Sequence, residues 1–304
     1  MPSKEDQITS WFAAQSKADS KHFPIGIGDD MAQVALDGGS VLITTDMLLE
    51  GVHFELASAT LEQVGFKAMA VNLSDCAAMA TIPVCAVAAV ALPEGYGQEE
   101  LKKLHAGLVR AGRAFECELI GGDITVWKTS RAGLVINVSM LSIPSGYHQP
   151  VKRNSARPGD LICVTGPLGG SLKGKHLEFQ PRVKLALEMT KAVHINSMMD
   201  ISDGLSTDLN RICVQSKCGA RIEAGNIPLA EAAKRSANPL KAALEDGEDF
   251  ELLFTISPAE WEKLERCGID GLFHIGRIIE GQGMELIMAD GKTEKLFPKG
   301  FDHL

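Results

Sequence analysis

The feature that most constrains this chain is a break in its periodicity. Pro144, Ser145, Gly146 and Pro150 gather between two long stretches in which apolar strand-like runs alternate with helical ones. Proline and glycine at that density end regular structure. Each flank, at roughly 150 residues, is long enough to bury a core of its own. The expectation is two domains of α+β type, residues 1–146 and 147–304.

In the first half the spacing predicts a helix up to Gln15, then a strand over Val41–Thr45 that ends at Asp46. Thr60-Leu61-Glu62-Gln63 has the capping-box pattern, which predicts a helix to about Ala80 with Val64, Ala68 and Val71 along one side. Val84–Leu92 is apolar without alternation, as in a strand covered on both faces, and Gln98–Phe115 has helical spacing. Glu118–Ile120 and Leu134–Ile143 read as further strands. In the second half the pattern predicts strands at Asp160–Thr165, Phe250–Ile256, Leu272–Ile279 and Met284–Met288, with helices near Val183–Val193, Ser206–Gln215 and Pro258–Arg266. No internal repeat is present.

Composition narrows the function classes. The net charge is −9 and no Lys/Arg run is long enough to follow a nucleic-acid backbone, so no nucleic-acid partner is expected. No apolar stretch approaches ~18 residues, and the start, MPSKEDQITSWF, lacks the apolar core of a secretory signal, so the expectation is a cytoplasmic protein without a membrane partner. The seven cysteines are scattered without a C-x-x-C pair and read as free thiols.

Acidic residues cluster in five short segments: Gly28-Asp29-Asp30, Thr44-Thr45-Asp46, Asn72-Leu73-Ser74-Asp75, Gly121-Gly122-Asp123 and Asp200-Ile201-Ser202-Asp203-Gly204. A single Asp after Gly in a turn needs no explanation beyond capping backbone amides. Five such segments beside glycines and hydroxyls suit magnesium, a hard cation that takes carboxylates, waters and substrate phosphates. Asp75 is the most telling, because it interrupts an apolar helix on the side of Asn72, and a buried carboxylate requires a partner such as a metal or an arginine. Gly121-Gly122 would let backbone approach a phosphate. The segment 200–204 precedes a helix whose amides could point at one, unless Ser202 or Asp203 merely caps it.

Gly169-Gly170-Ser171-Leu172-Lys173-Gly174-Lys175-His176 matches the G-x-x-x-x-G-K-[ST] phosphate loop except at its last place, where His176 replaces the magnesium-binding hydroxyl. Pro181 also leaves little room for the helix that should follow, so a phosphate loop is not expected. His53 lies just past the strand bearing Asp46, and Glu248 and Asp249 precede an apolar strand; either place suits a substrate or plain solvent. Motifs for a serine nucleophile elbow, a zinc helix and a dinucleotide loop are lacking.

The ordered set Ile27–Asp30, Thr44–Phe54, Lys67–Asp75, Gly121–Asp123, Ser155–Asp160, Met199–Leu205 and Gly247–Phe254 resembles the thiamine-monophosphate kinase family, within the larger group that includes aminoimidazole ribonucleotide synthetase and selenophosphate synthetase. The resemblance implies ATP-dependent phosphorylation of thiamine monophosphate, with several magnesium ions. It implies metal ligands at Asp30, Thr44, Thr45, Asp46, Asp75, Asp123, Asp200 and Asp203, and ATP contacts at Gly122, Asp123, Arg153 and Ser202. His105 stands at a further nucleotide-contact position, where the family usually has Tyr. His53, Glu248 and Phe301 would meet thiamine phosphate, and no covalent nucleophile or general base is expected. The implied fold is a homodimer whose N-terminal sheets pair into a barrel, with a C-terminal α/β domain closing over the nucleotide. Gly170, in a shortened stretch to Arg182, and Asp246, where the family has Gly, are further departures. They leave open another acceptor within the superfamily, or a silent magnesium–nucleotide binder.

Overall fold

The computed structural model describes residues 4–16, 19–129 and 131–301. It is a mixed α/β structure built on two sheets. After helix α1 (Lys4–Gln15) come β1 (Ala32–Leu36), β2 (Gly39–Leu49), α2 (Leu61–Ala78), β3 (Thr81–Leu92), α3 (Gln98–Arg113), β4 (Glu118–Val126) and β5 (Val135–Pro144). The five strands lie in the order β1-β2-β5-β3-β4, with only β3 and β4 parallel.

The second sheet begins with β6 (Leu161–Val164), followed by α4 (Val183–Ala192), β7 (Ser197–Asp200), α5 (Leu205–Ser216), β8 (Gly219–Glu223), α6 (Glu231–Lys234) and α7 (Pro239–Glu245). It ends with β9 (Leu252–Ile256), α8 (Pro258–Arg266), β10 (Phe273–Ile279), β11 (Gly283–Ile287) and β12 (Thr293–Leu296). Its order is β12-β11-β8-β10-β6-β9-β7.

Helix α2 is the centre of the molecule. Thr60 and Gln63 form the reciprocal capping box that starts it. The stripe expected at Val64, Ala68 and Val71 understates its burial: 13 of its residues are buried, because the first sheet covers one side while α4 and β7 cover another. A helix buried all round needs no amphipathic stripe. It meets α3 at glycines: a Cβ on Gly65 would lie 2.0 Å from the Leu104 carbonyl oxygen, and one on Gly107 would lie 1.9 Å from that of Glu62.

Three strand expectations change. Strand β2 runs on to Leu49, so Asp46 sits within it, paired with Val138. Strand β4 extends through Gly121-Gly122-Asp123, which are therefore strand and not turn. Strand β3, expected to be covered on both faces, alternates: Ile82, Val84 and Val87 are exposed on the side away from α2 and α3. Ile43 and Met47 of β2 and Leu141 of β5 are exposed as well. Strands β1, β7, β8 and β12 and the α6–α7 pair were not anticipated, being too short for periodicity to register.

Candidate active site

A cleft of about 1420 Å³ runs between the two sheets, lined by residues of α1, the 24–30 loop, β2, α2, β7, α5 and the 246–250 loop. At its floor Asp30, Asp75 and Asp200 bring one carboxylate oxygen each within 4.8 Å of one another. The period-2 alternation of β2 buries Thr44 and Leu48 toward α2, and Asp46 shares their side of the strand. The Thr44 hydroxyl donates to Asp75, the Ser74 hydroxyl donates to Asp200 at 2.6 Å, and Asp46 Oδ2 is buried without a hydrogen-bond partner. Burial raises Asp46 to about 6 and Asp200 to about 7, with Asp30 adding repulsion to each. Asp75 is pushed well above the usual carboxylate range, first by burial and then by Asp46, Asp200 and Asp30.

The cation that meets this cluster is Arg153, whose Nη2 and Nε donate to Asp30 at 2.7 and 3.0 Å. One arginine among four crowded carboxyls leaves negative charge in excess. The donor set, all oxygen and partly orphaned, fits magnesium.

Asp203 lies near the cluster but is engaged by Arg211 at 2.5 Å, which also holds Asp208 at 2.9 Å and Asp6 of α1 at 3.2 Å. Two amides just before α5 are turned onto an acid of the helix itself. The Asp203 and Gly204 amides donate to the Asp208 carboxylate, each at 3.1 Å. Gly300 and Phe301 lie over the same turn, with the Gly300 amide donating to Thr207 Oγ1 at 2.8 Å and the Phe301 amide to the Asp203 carbonyl at 2.9 Å.

The cleft is also lined by Val52, His53, Leu172, Asp246, Glu248 and Phe301. The Leu49 amide donates to His53 Nδ1 at 3.0 Å, so the neutral ring carries its proton on Nε2. Glu248 and Phe250 both have positive φ, +53° and +50°, a conformation that costs about 1–3 kcal/mol for each non-glycine residue. Surrounding contacts enforce it: the Glu248 amide donates to the Ser202 carbonyl at 2.6 Å, and the Phe250 ring stacks on Phe179 at 4.0 Å.

The phosphate-loop look-alike is filled from within. The Gly169 amide donates to both Asp249 carboxylate oxygens, at 2.9 and 3.0 Å, the Ser171 hydroxyl donates to Asp249 Oδ1 at 2.5 Å, and the Gly170 amide donates to Asp246. Asp249 plays the anion's part, so this loop is a structural wall of the cleft.

Thr45 points to the opposite face of β2 from Thr44 and bonds Ser139. Gly122, Asp123 and His105 are not near the acidic floor of the same chain. They line a second hollow of about 590 Å³ between β4 and α3, with Leu101, Leu104 and Ile124. Lys67, Ser74, Asp208 and Arg211 hold site residues in place and were assigned no part from sequence. Lys67 carried the same signal as Asp75, a charge inside an apolar helix, and its meaning depends on residues far away in the chain.

Family models described as AIR synthase related protein, N-terminal domain and C-terminal domain, match residues 28–143 and 157–289. The thiamine-monophosphate kinase of Rhodopirellula baltica is 35% identical, covering 96% of this chain and 96% of its own. That of Escherichia coli K12 is 33% identical, over 92% of this chain and 91% of its own. A solved structure described as AaThiL complexed with AMPPCP and TMP superposes with a TM-score of 0.83 at 31% identity, covering 99% of this chain and 97% of that one.

Proposed function

Since the chain belongs to the thiamine-monophosphate kinase family of AIR synthase related proteins, we propose that it phosphorylates thiamine monophosphate with ATP, giving thiamine diphosphate and ADP by direct in-line transfer. The observation that carries the chemistry is the convergence of Asp30, Asp75 and Asp200 with the unpartnered Asp46 oxygen at the floor of the cleft. Magnesium held there by Asp30, Thr44, Asp46, Asp75 and Asp200, with Asp203 beside them, would neutralise phosphate oxygens and polarise the transferred group.

The chain's own part is positioning and charge. Arg153, on Asp30 at the floor, has a guanidinium suited to phosphate oxygens, and Ser202 lines the same wall. His53 lines the cleft beside Glu248 and Phe301, a set that suits an anionic acceptor carrying a flat cationic ring. An oxygen of the acceptor phosphate attacks the γ-phosphorus as the bond to the ADP oxygen breaks. That nucleophile is already an anion, so the absence of a general base is coherent.

The open apolar face of the first sheet is the reason to propose a homodimer. Ile43, Met47, Val84, Val87 and Leu141 form a surface that a monomer rarely leaves in water. Packing two such faces would close a barrel and cover Thr45 and Asp123, and it offers a way for the Gly122–Asp123 strand and His105 of one copy to serve the cleft of another. Among the described residues no helix is long and apolar enough to cross a membrane, and the proposed reaction is that of a cytoplasmic biosynthetic enzyme.

An ADP-release assay with ATP, magnesium and thiamine monophosphate tests the reading. Acceptor-dependent turnover and a thiamine diphosphate product are expected. Tight magnesium–ATP binding with no thiamine product would replace it by a silent binder.

A further inference from the structure

Lys67 is among the largest fully buried side chains of the described residues. Its ammonium has three N–H bonds and three acceptors: the His53 carbonyl at 2.7 Å and both oxygens of Glu248, each at 2.7 Å. Its donor capacity is therefore filled. His53 lies 14 positions before it, in the loop that leaves β2, and Glu248 lies 181 positions after it, in the strained loop before β9.

Both residues line the cleft, and their shared contact with the Lys67 ammonium puts them side by side. Helix α2, fixed by its cap and buried on nearly every side, is the rigid post from which the side chain reaches them. The charge is specific to the task. Burial disfavours the ammonium and holds it below its ordinary pKa, and the Glu248 charge opposes that effect. A neutral side chain of the same length would fill the space without holding either loop.

We propose that Lys67 is a positioning residue for the phosphate acceptor: it clamps the His53 loop of one domain to Glu248 of the other, so that the two acceptor contacts hold their spacing before substrate arrives. The inference rests on the kinase reading for the identity of the acceptor, whereas the clamp itself does not. A clamp on the acceptor contacts makes an asymmetric prediction. Its loss weakens thiamine monophosphate and leaves ATP and magnesium, bound at the acidic floor, untouched.

The test compares wild type with Lys67→Met by steady-state kinetics and by amide hydrogen exchange. Lys67→Met is expected to raise KM for thiamine monophosphate at least tenfold while KM for ATP stays within twofold. Exchange at Gly51 and His53, and at Glu248 and Phe250, should rise at least fivefold in both loops together. A folded variant with acceptor KM within twofold of wild type, or with acceptor and ATP KM rising in step, overturns the positioning role. Unchanged exchange in both loops overturns the clamp.

If Lys67→Met does not fold, Glu248→Met gives the same answer from the other side. Exchange at Gly51 and His53, in the opposite domain, should still rise at least fivefold, and a change below twofold refutes the coupling. A wild-type protein that releases no ADP with thiamine monophosphate removes the kinase reading alone, because the exchange measurement then decides the clamp without reference to activity.

Discussion

Asp46 and Asp75 bear a heavy electrostatic load in the site, because each is desolvated, Asp30 opposes the charge of both, and Asp46 opposes that of Asp75. Replacing either with Asn keeps the volume and removes the charge that would hold magnesium. Turnover should fall by at least ~100-fold with the fold intact by circular dichroism, and near-normal rates in both variants would refute the metal floor. The same carboxyls set a pH dependence. Folded-state values of about 6 for Asp46 and about 7 for Asp200 lie above the ordinary 3.8. Their protonated forms therefore favour the fold, and this contribution is complete below about pH 4 and is lost as pH rises through 6 to 7. Metal-free protein should melt at a lower Tm at about pH 8 than at about pH 5, and magnesium should close most of the gap; a Tm that climbs over that interval without metal would contradict the sign. At this scale the sequence was informative where chemistry was out of place. An acid in an apolar helix marked Asp75, and the same reasoning would have marked Lys67. It could not tell Thr44 from Thr45, because the parity of a strand shows nothing until one of its faces is known to be covered.

Helices α2 and α3 cross where Gly65 and Gly107 let their backbones touch. Gly107→Ala would force a methyl into the Glu62 carbonyl, so the helices must separate. A loss of about 2–3 kcal/mol and a Tm lower by roughly 5–10 °C are expected in a thermal melt, and an unchanged Tm would mean that this packing is softer than its geometry indicates. The capping box and the proline-started α8 were readable because their signals are local. The extent of β2 and β4 was not, because Asp46 and the Gly121-Gly122 pair look like strand ends until pairing with β5 and β3 carries the strands past them. The look-alike phosphate loop misleads for the same reason in reverse. Its glycines do present amides to an anion, but the anion is Asp249, 80 positions onward.

Across the whole molecule, the open sheet face carries the heaviest prediction. Val87→Glu puts a charge at the middle of that face, where burial against a second copy would strand it. Sedimentation should then report a mass near 32.6 kDa in place of about twice that value, and turnover should fall if a neighbouring copy's Asp123 serves the cleft. A wild-type chain that already sediments as a monomer would remove the barrel. The break between the two sheets was legible as one Pro/Gly-rich run, but the use of α2 by both was not, since its far side is covered by α4 and β7, elements from beyond that break. The acidic floor is divided in the same way. Asp30 meets its arginine 123 positions later, and Ser74 meets Asp200 126 positions later. At a synthesis rate of about 5–20 residues per second, Asp30 leaves the ribosome on the order of 10 s before the arginine that holds it. During translation the nascent first half carries Asp30 without its arginine, so a folding yield that rises with magnesium in cell-free translation is the expected outcome.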